Sequence, residues 1–97
     1  MSFPHSESID RLFDSFLSLK NREEYYQYFE DLCTVKEVLS MAQRLDVAHL
    51  LSRGDSYLAI TDETGVSSAT VGRVKRCLDY GSGGYGLVME REKKKEE

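Results

Sequence analysis

Apolar side chains recur at intervals of three and four residues through most of the chain, and no stretch alternates between apolar and polar positions as a strand does. Because this spacing places apolar side chains on one side of a helix, the pattern predicts an all-α protein. A residue whose side chain favours the amino terminus of a helix precedes each of the main apolar runs. These predicted caps are Ser6, Asn21, Thr34, Ser56 and Ser67.

The longest helix is predicted between Thr34 and Gly54, because this stretch contains no internal glycine or proline. Glu37 follows Thr34 by three residues, which is the spacing of a capping box. Beyond Gly54 we expect a short helix from about Tyr57 to Thr64 and another from Ser68 to about Tyr80. The sequence thus predicts a pair of short helices after the long one.

A tight turn joins these two short helices, and Gly65 lies where that turn needs a left-handed residue. Five apolar residues around the turn are predicted to be buried between the helices: Ile60, Val66, Val71, Val74 and Leu78. Small and polar side chains on the second helix are followed by basic ones within one turn. This combination is typical of a DNA-binding helix-turn-helix. The candidate DNA-binding residues are Ser67, Ser68, Ala69, Thr70, Gly72, Arg73, Lys75 and Arg76.

The chain of 97 residues is 40% apolar, which allows one domain with a modest core. Its net charge of −4 argues against a protein that coats nucleic acid indiscriminately. Residues 1–33 contain seven acidic and three basic side chains, so they account for the whole negative excess. The basic residues of the second short helix therefore predict a local docking surface. The acidic first third favours the alternative, a helical protein-protein interaction module without DNA binding.

No group of residues typical of an enzyme or a metal site is present in the sequence. Cys33 and Cys77 lie far apart, and neither His5 nor His49 has a set of ligands around it. We expect both thiols to be reduced and buried or half-buried. The chain begins without the basic and apolar run of a signal peptide, and it has no membrane-spanning stretch, so we predict a cytoplasmic protein with no cofactor.

Glycines near the carboxyl terminus match G-x-G-x-x-G, at Gly81, Gly83 and Gly86. A dinucleotide site needs a strand before this motif and a helix after it in a parallel-sheet unit, so we interpret the glycines as a hinge.

The predicted organisation is one domain over residues 1–97. Its parts are amino-terminal dimerisation helices at about 6–33, the long helix and helix-turn-helix at 34–80, a glycine hinge and short helix at 81–91, and a disordered tail at 92–97.

From Thr34 to about Tyr80, the order of a capped long helix, an R-G break, a short helix and then G-V-S-S-A-T-V-G-R resembles the tryptophan repressor family. The segments YYQYFEDLCTVKEV, MAQRLDVAHLL and GSGGY look closer still to the repressor-related YerC/YecD group of bacterial proteins. The resemblance implies an intertwined helical homodimer with a helix-turn-helix head on each side. It also implies a sequence-specific transcriptional regulator, a repressor, that binds double-stranded DNA.

In such a dimer the amino-terminal helices pack across the two-fold axis. These helices contain more aromatic residues than two short helices ordinarily bury by themselves. The resemblance therefore implies that the other subunit covers four of them: Phe13, Phe16, Tyr26 and Phe29.

Members of this family that respond to tryptophan hold it with a threonine, two arginines and a wall of small residues. The resemblance makes Thr34, Arg44, Arg73 and Cys77 the candidate effector-binding residues. Val74 stands where the family has a glycine, and its isopropyl group would overfill a slot shaped for a flat indole. We therefore expect that tryptophan is not the effector. Another small ligand, and Val74 as a built-in filler, both stay open, as do a cap role for Thr34 and salt-bridge or phosphate roles for the arginines.

Overall fold

The computed structural model describes residues 3–96, and within this range it contains six α-helices and no strand. The helices are α1 (Glu7–Leu17), α2 (Arg22–Leu32), α3 (Val35–Arg53), α4 (Tyr57–Thr64), α5 (Ser68–Tyr80) and α6 (Gly84–Glu96). The predicted all-α fold is confirmed. Residues 3–96 include no helix whose length and apolar content would let it cross a membrane.

Contacts within the chain form two compact units, of which the first ends at Val38 and the second begins at Leu39. The first unit contains α1, α2 and the first turn of α3, and the second contains the remainder of α3 with α4, α5 and α6. The prediction of one domain over residues 1–97 stays a prediction.

Aromatic side chains join α1 to α2 in the first unit. The ring of Phe16 stacks on that of Phe29, with centroids 5.2 Å apart, and meets the ring of Tyr28 edge-on at 6.0 Å. The hydroxyl oxygens of Ser15 and Tyr28 are 2.8 Å apart, and the hydroxyl of Tyr25 donates to the carbonyl of Phe16 at 3.2 Å. These contacts hold the two helices together, although neither helix contains a buried residue.

All five predicted caps are confirmed, since each side chain accepts a hydrogen bond from the backbone N–H three residues further on: Ser6, Asn21, Thr34, Ser56 and Ser67. The capping box at α3 is complete, because the N–H of Thr34 also donates to the carboxylate of Glu37 at 2.9 Å. This bond, together with the hydrogen bond to the Thr34 side chain, lowers the pKa of Glu37 because both favour its charged form.

The second unit contains the hydrophobic core. Its buried residues are Val47, Ala48, Ile60, Val66, Val71 and Val74, and Leu50, Leu51, Leu78, Tyr85 and Met89 are partly buried against them. Four of the five residues predicted to be buried are therefore buried, and the fifth, Leu78, is partly buried. Val47 and Ala48 add α3 to this core, and Tyr85 and Met89 add α6, so both of these helices cover the apolar side of the helix-turn-helix.

The carboxyl-terminal segment differs from its prediction. A continuous helix, α6, runs from Gly84 to Glu96, whereas we predicted a short helix and then a disordered tail at 92–97. That prediction is wrong for residues 92–96, and Glu97 lies outside the described residues. Tyr85 and Met89 contact the core, and Glu92 Oε2 lies 2.8 Å from His49 Nε2 on α3. These contacts stabilise a helix that is too polar to be predicted from its own composition.

Candidate nucleic-acid interface

The turn between α4 and α5 is short, and the backbone N–H groups of Gly65 and Val66 both donate hydrogen bonds. Gly65 ends α4 with a φ of 74°, the left-handed conformation predicted from the sequence, and its N–H donates to the carbonyl of Thr61 at 2.9 Å. The N–H of Val66 donates to the side-chain oxygen of Thr64 at 3.1 Å, and the side chain of Val66 is buried. Because α5 begins at Ser68, immediately after this turn, α4 and α5 form a compact helix-turn-helix.

Helix α5 has one buried and one accessible side. Val71 and Val74 are buried on the core side, and Leu78 is partly buried there. The opposite side and the preceding cap contain every residue predicted to bind DNA. Of these, Thr70 and Gly72 are half-buried, and the others are exposed: Ser67, Ser68, Ala69, Arg73, Lys75 and Arg76. The structure therefore brings all eight candidates together on one helix and its cap.

The three cations of α5 differ in their surroundings. Lys75 Nζ lies 3.2 Å from Asp79 Oδ1 in an ion pair within the helix. Among residues 3–96, no carboxylate forms an ion pair with Arg73 or Arg76. A phosphate contact by either arginine would therefore require no internal bond to break. An exposed pair of the Lys75 and Asp79 kind contributes only about 0.3–0.5 kcal/mol, so the lysine is weakly held.

At the start of α5 the hydroxyl groups of the cap, Ser67, and of Thr70 are already bonded to each other. Ser67 Oγ accepts the N–H of Thr70 at 3.2 Å and donates to Thr70 Oγ1 at 3.1 Å. Both of these bonds hold the start of the helix in place. Ser68 and Ala69 are exposed and are therefore the residues at this end best placed to meet another molecule.

The structure adds a residue that the sequence reasoning did not assign to this surface. A Cβ atom on Gly72 would lie 3.9 Å from Cε2 of Tyr57, so an edge of the tyrosine ring lies beside α5 at the only glycine of that helix. Tyr57 is the first residue of α4 and is 41% exposed. The sequence does contain a signal for this placement: an aromatic residue, Tyr57, directly follows the cap of one helix, and the next helix contains a glycine, Gly72.

Two of the candidate effector-binding residues, Thr34 and Arg44, belong to different compact units of the chain. In the first unit, Thr34 forms the cap of α3 as its sequence pattern indicates. In the second, Arg44 is half-buried and its Nε donates to the carbonyl of Ser40 at 3.4 Å. Val74 is 1% exposed, and its isopropyl group is part of the core.

The exposure of the two cysteine thiols agrees with the prediction for only one of them. Cys33 is half-buried, as expected, but Cys77 is exposed. The apolar side of α5 is a narrow stripe that follows Val71, Val74 and Leu78, and position 77 lies at its edge. The expectation that Cys77 is buried or half-buried is therefore wrong.

The chain matches known proteins over most of its length. A family model described as Trp repressor protein matches residues 7–93. The chain is 51% identical over 90 residues to the uncharacterized protein YerC of Bacillus subtilis strain 168, a match that covers 93% of this chain and 86% of YerC.

Two solved structures resemble this protein closely. A candidate Trp repressor from Staphylococcus aureus superposes with a TM-score of 0.88 at 46% identity, covering 92% of this chain and 89% of that one. A TrpR-like protein from Eubacterium eligens ATCC 27750 superposes with a TM-score of 0.86 at 46% identity, covering 89% of each chain. The match in sequence and the match in fold each cover most of the chain, and this chain belongs to the Trp repressor protein family.

Proposed function

We propose that this protein is a sequence-specific DNA-binding transcriptional regulator, a repressor that acts as a homodimer. The observation that supports this most directly is the accessible side of α5, which combines small residues at its start with two arginines that have no internal partner among residues 3–96. Membership of the Trp repressor protein family supports the same function.

In this proposal α5 enters the major groove with its amino-terminal end towards the bases. Ser68, Ala69 and Thr70 approach base edges, where the methyl group of Ala69 suits the methyl group of thymine. Arg73 and Arg76 bind phosphate or guanine, and Lys75 exchanges Asp79 for a phosphate. Contacts with the base edges define the sequence preference, and the basic side chains of α5 supply most of the affinity for DNA.

The first unit supports the proposed homodimer. Phe13 is 50% exposed, Tyr26 is 65% exposed and Leu17 is 82% exposed, which leaves large apolar side chains in contact with water. Burial of such a side chain contributes about 1.5–3 kcal/mol when it is complete. A second copy of the chain would provide that burial and would place two α5 helices on one DNA molecule. Two-fold symmetry in the protein then requires a palindromic operator.

The proposed repressor does not depend on tryptophan. The side chain of Val74 is part of the core of the second unit. Its isopropyl group cannot move aside without opening a cavity there. We propose that DNA binding occurs without a bound amino acid.

Fluorescence anisotropy with a labelled duplex of random sequence tests the nucleic-acid contact. We expect the affinity to fall steeply as salt rises from 50 to 200 mM, because each phosphate contact releases counterions. Binding that is absent, or that does not depend on salt, would contradict DNA binding and favour the protein-protein interaction module instead.

Two further measurements test the remaining parts of the proposal. Sequencing of the DNA bound to the protein in cells should recover a palindromic consensus. Sedimentation equilibrium should give twice the mass of the 11.1 kDa chain. A monomer at micromolar concentration would contradict the homodimer.

A further inference from the structure

Tyr57 and Gly72 form a contact between the two helices of the helix-turn-helix on its accessible side. The ring of Tyr57 approaches α5 at the one position where that helix has no side chain, and a Cβ at this position would be 3.9 Å from Cε2. That distance is an ordinary van der Waals contact, so the edge of the ring lies close beside the backbone of α5 at this position.

The position of this contact places the ring among the proposed DNA-binding residues. One helical turn before Gly72 lie Ser68 and Ala69, and one turn after it lie Lys75 and Arg76. All four are exposed. The aromatic ring is thus adjacent to the surface that carries the small residues and the cations of α5.

The phenol group of Tyr57 has no other role in the described part of the chain. The tyrosine hydroxyls that form hydrogen bonds within residues 3–96 belong to Tyr25 and Tyr28. The neighbouring hydroxyl of Ser56 is engaged in capping α4. Tyr57 therefore offers an unpaired O–H donor on a ring that lies beside Gly72.

We infer that Tyr57 is an anchor for the DNA backbone, whose O–H donates a hydrogen bond to a phosphate oxygen beside the groove that α5 enters. This inference rests on the proposed function. A phosphate is the expected acceptor because Tyr57 belongs to α4, outside the helix proposed to read the bases, and tyrosine is among the residues that contact phosphates in protein–DNA complexes. A neutral donor positions the protein on the backbone without displacing a cation from it.

The variant Tyr57→Phe tests the inference, because it removes the O–H and retains the ring against Gly72. The matched control is Leu58→Ala, a change at the adjacent residue, which is exposed and apolar. Binding to a labelled duplex of random sequence is measured by anisotropy at several salt concentrations. The operator sequence is not needed, since a phosphate contact acts on every sequence.

We expect Tyr57→Phe to bind roughly tenfold more weakly at every salt concentration, because it loses a hydrogen bond to a charged group. The salt dependence should equal that of the unmodified protein, since no counterion is released by a neutral donor. Leu58→Ala should bind within twofold of the unmodified protein. The melting temperature of Tyr57→Phe should equal that of the unmodified protein because the hydroxyl has no partner within the described chain, and that of Leu58→Ala should lie close to it because this side chain is 71% exposed.

Two results would overturn the inference. If Tyr57→Phe binds as tightly as the unmodified protein, its O–H does not reach the DNA. If its salt dependence falls, the tyrosine acts by orienting a cation and is not itself the donor. Absence of salt-dependent binding by the unmodified protein would instead contradict the proposed function, so the two failures are distinguishable.

Discussion

The ammonium of Lys75 lies 3.2 Å from the carboxylate of Asp79, one turn further along α5. This pair occupies a helix whose other two cations, Arg73 and Arg76, have no ionic partner among residues 3–96. An acidic residue on the proposed DNA-binding helix therefore reduces its attraction for phosphate.

Replacement of Asp79 by asparagine should increase affinity for DNA. We expect Asp79→Asn to bind a random duplex about two- to fivefold more tightly at 0.1 M salt, because Lys75 is released and a repulsive charge is removed. The matched control is Glu90→Gln, which removes the acid of a similar pair with Lys94 on α6. Equal gains for both variants would show that net charge, and not the partner of Lys75, determines the affinity.

Replacement of Arg76 should affect all DNA sequences alike. Arg76→Ala is expected to weaken binding to every duplex and to lower the slope of log affinity against log salt by about 0.9, the effect of one lost phosphate contact. Ala69→Gln should instead change which sequences are selected from a random pool. If neither substitution changes the binding seen in anisotropy and selection experiments, α5 is not the helix that contacts DNA.

Two glycines should respond in opposite directions to substitution by alanine. Gly65→Ala places a side chain at a φ of 74°, so we expect it to lower the free energy of unfolding by about 1–2 kcal/mol. Gly86 lies within α6, where a Cβ would meet nothing within 4 Å, so Gly86→Ala should raise that free energy by about 0.5–1 kcal/mol. Urea denaturation measures both. A loss of stability in Gly86→Ala would contradict the helical conformation of this segment.

Acid should weaken the start of α3 through Glu37. Its pKa is lowered from 4.5 by the hydrogen bonds from the backbone and the side chain of Thr34. A carboxyl with a depressed pKa in the folded state stabilises that state above its unfolded pKa, and this contribution is lost as pH falls through the folded pKa. Glu37→Gln should therefore show a shallower loss of stability between about pH 5 and pH 3. Glu30→Gln, at an exposed site of α2, provides the control in pH-dependent thermal melts.

Tryptophan should not bind with the affinity of an effector. Isothermal titration calorimetry at protein concentrations of about 50 μM is expected to show no heat of binding, since Val74 fills space in the core with its own side chain. Tyrosine provides a second aromatic amino acid for comparison. Micromolar binding of tryptophan would contradict this expectation and would make Arg44 and Arg73 the first residues to test by substitution.

Most of the local structure was predictable because its causes lie within a few residues of each other. The bounds of α4 and α5 follow from Ser56, Gly65 and Ser67, whose capping and turn properties act on neighbouring backbone groups. The burial of Ile60 and Val71 follows from helical spacing in the same way. Helical spacing also identifies the residues on the accessible side of α5 from the sequence alone.

An all-α chain with its caps, its left-handed turn and the two sides of α5 follows from the amino-acid sequence alone, because helix periodicity and capping depend on residues three or four apart. The continuation of α6 to Glu96 depends on tertiary contacts, since packing against the core stabilises a segment whose composition indicates disorder. The position of the Tyr57 ring beside Gly72 depends on the tertiary structure in the same way. That contact joins residues fifteen positions apart, and its existence depends on how α4 and α5 pack, which no local pattern specifies.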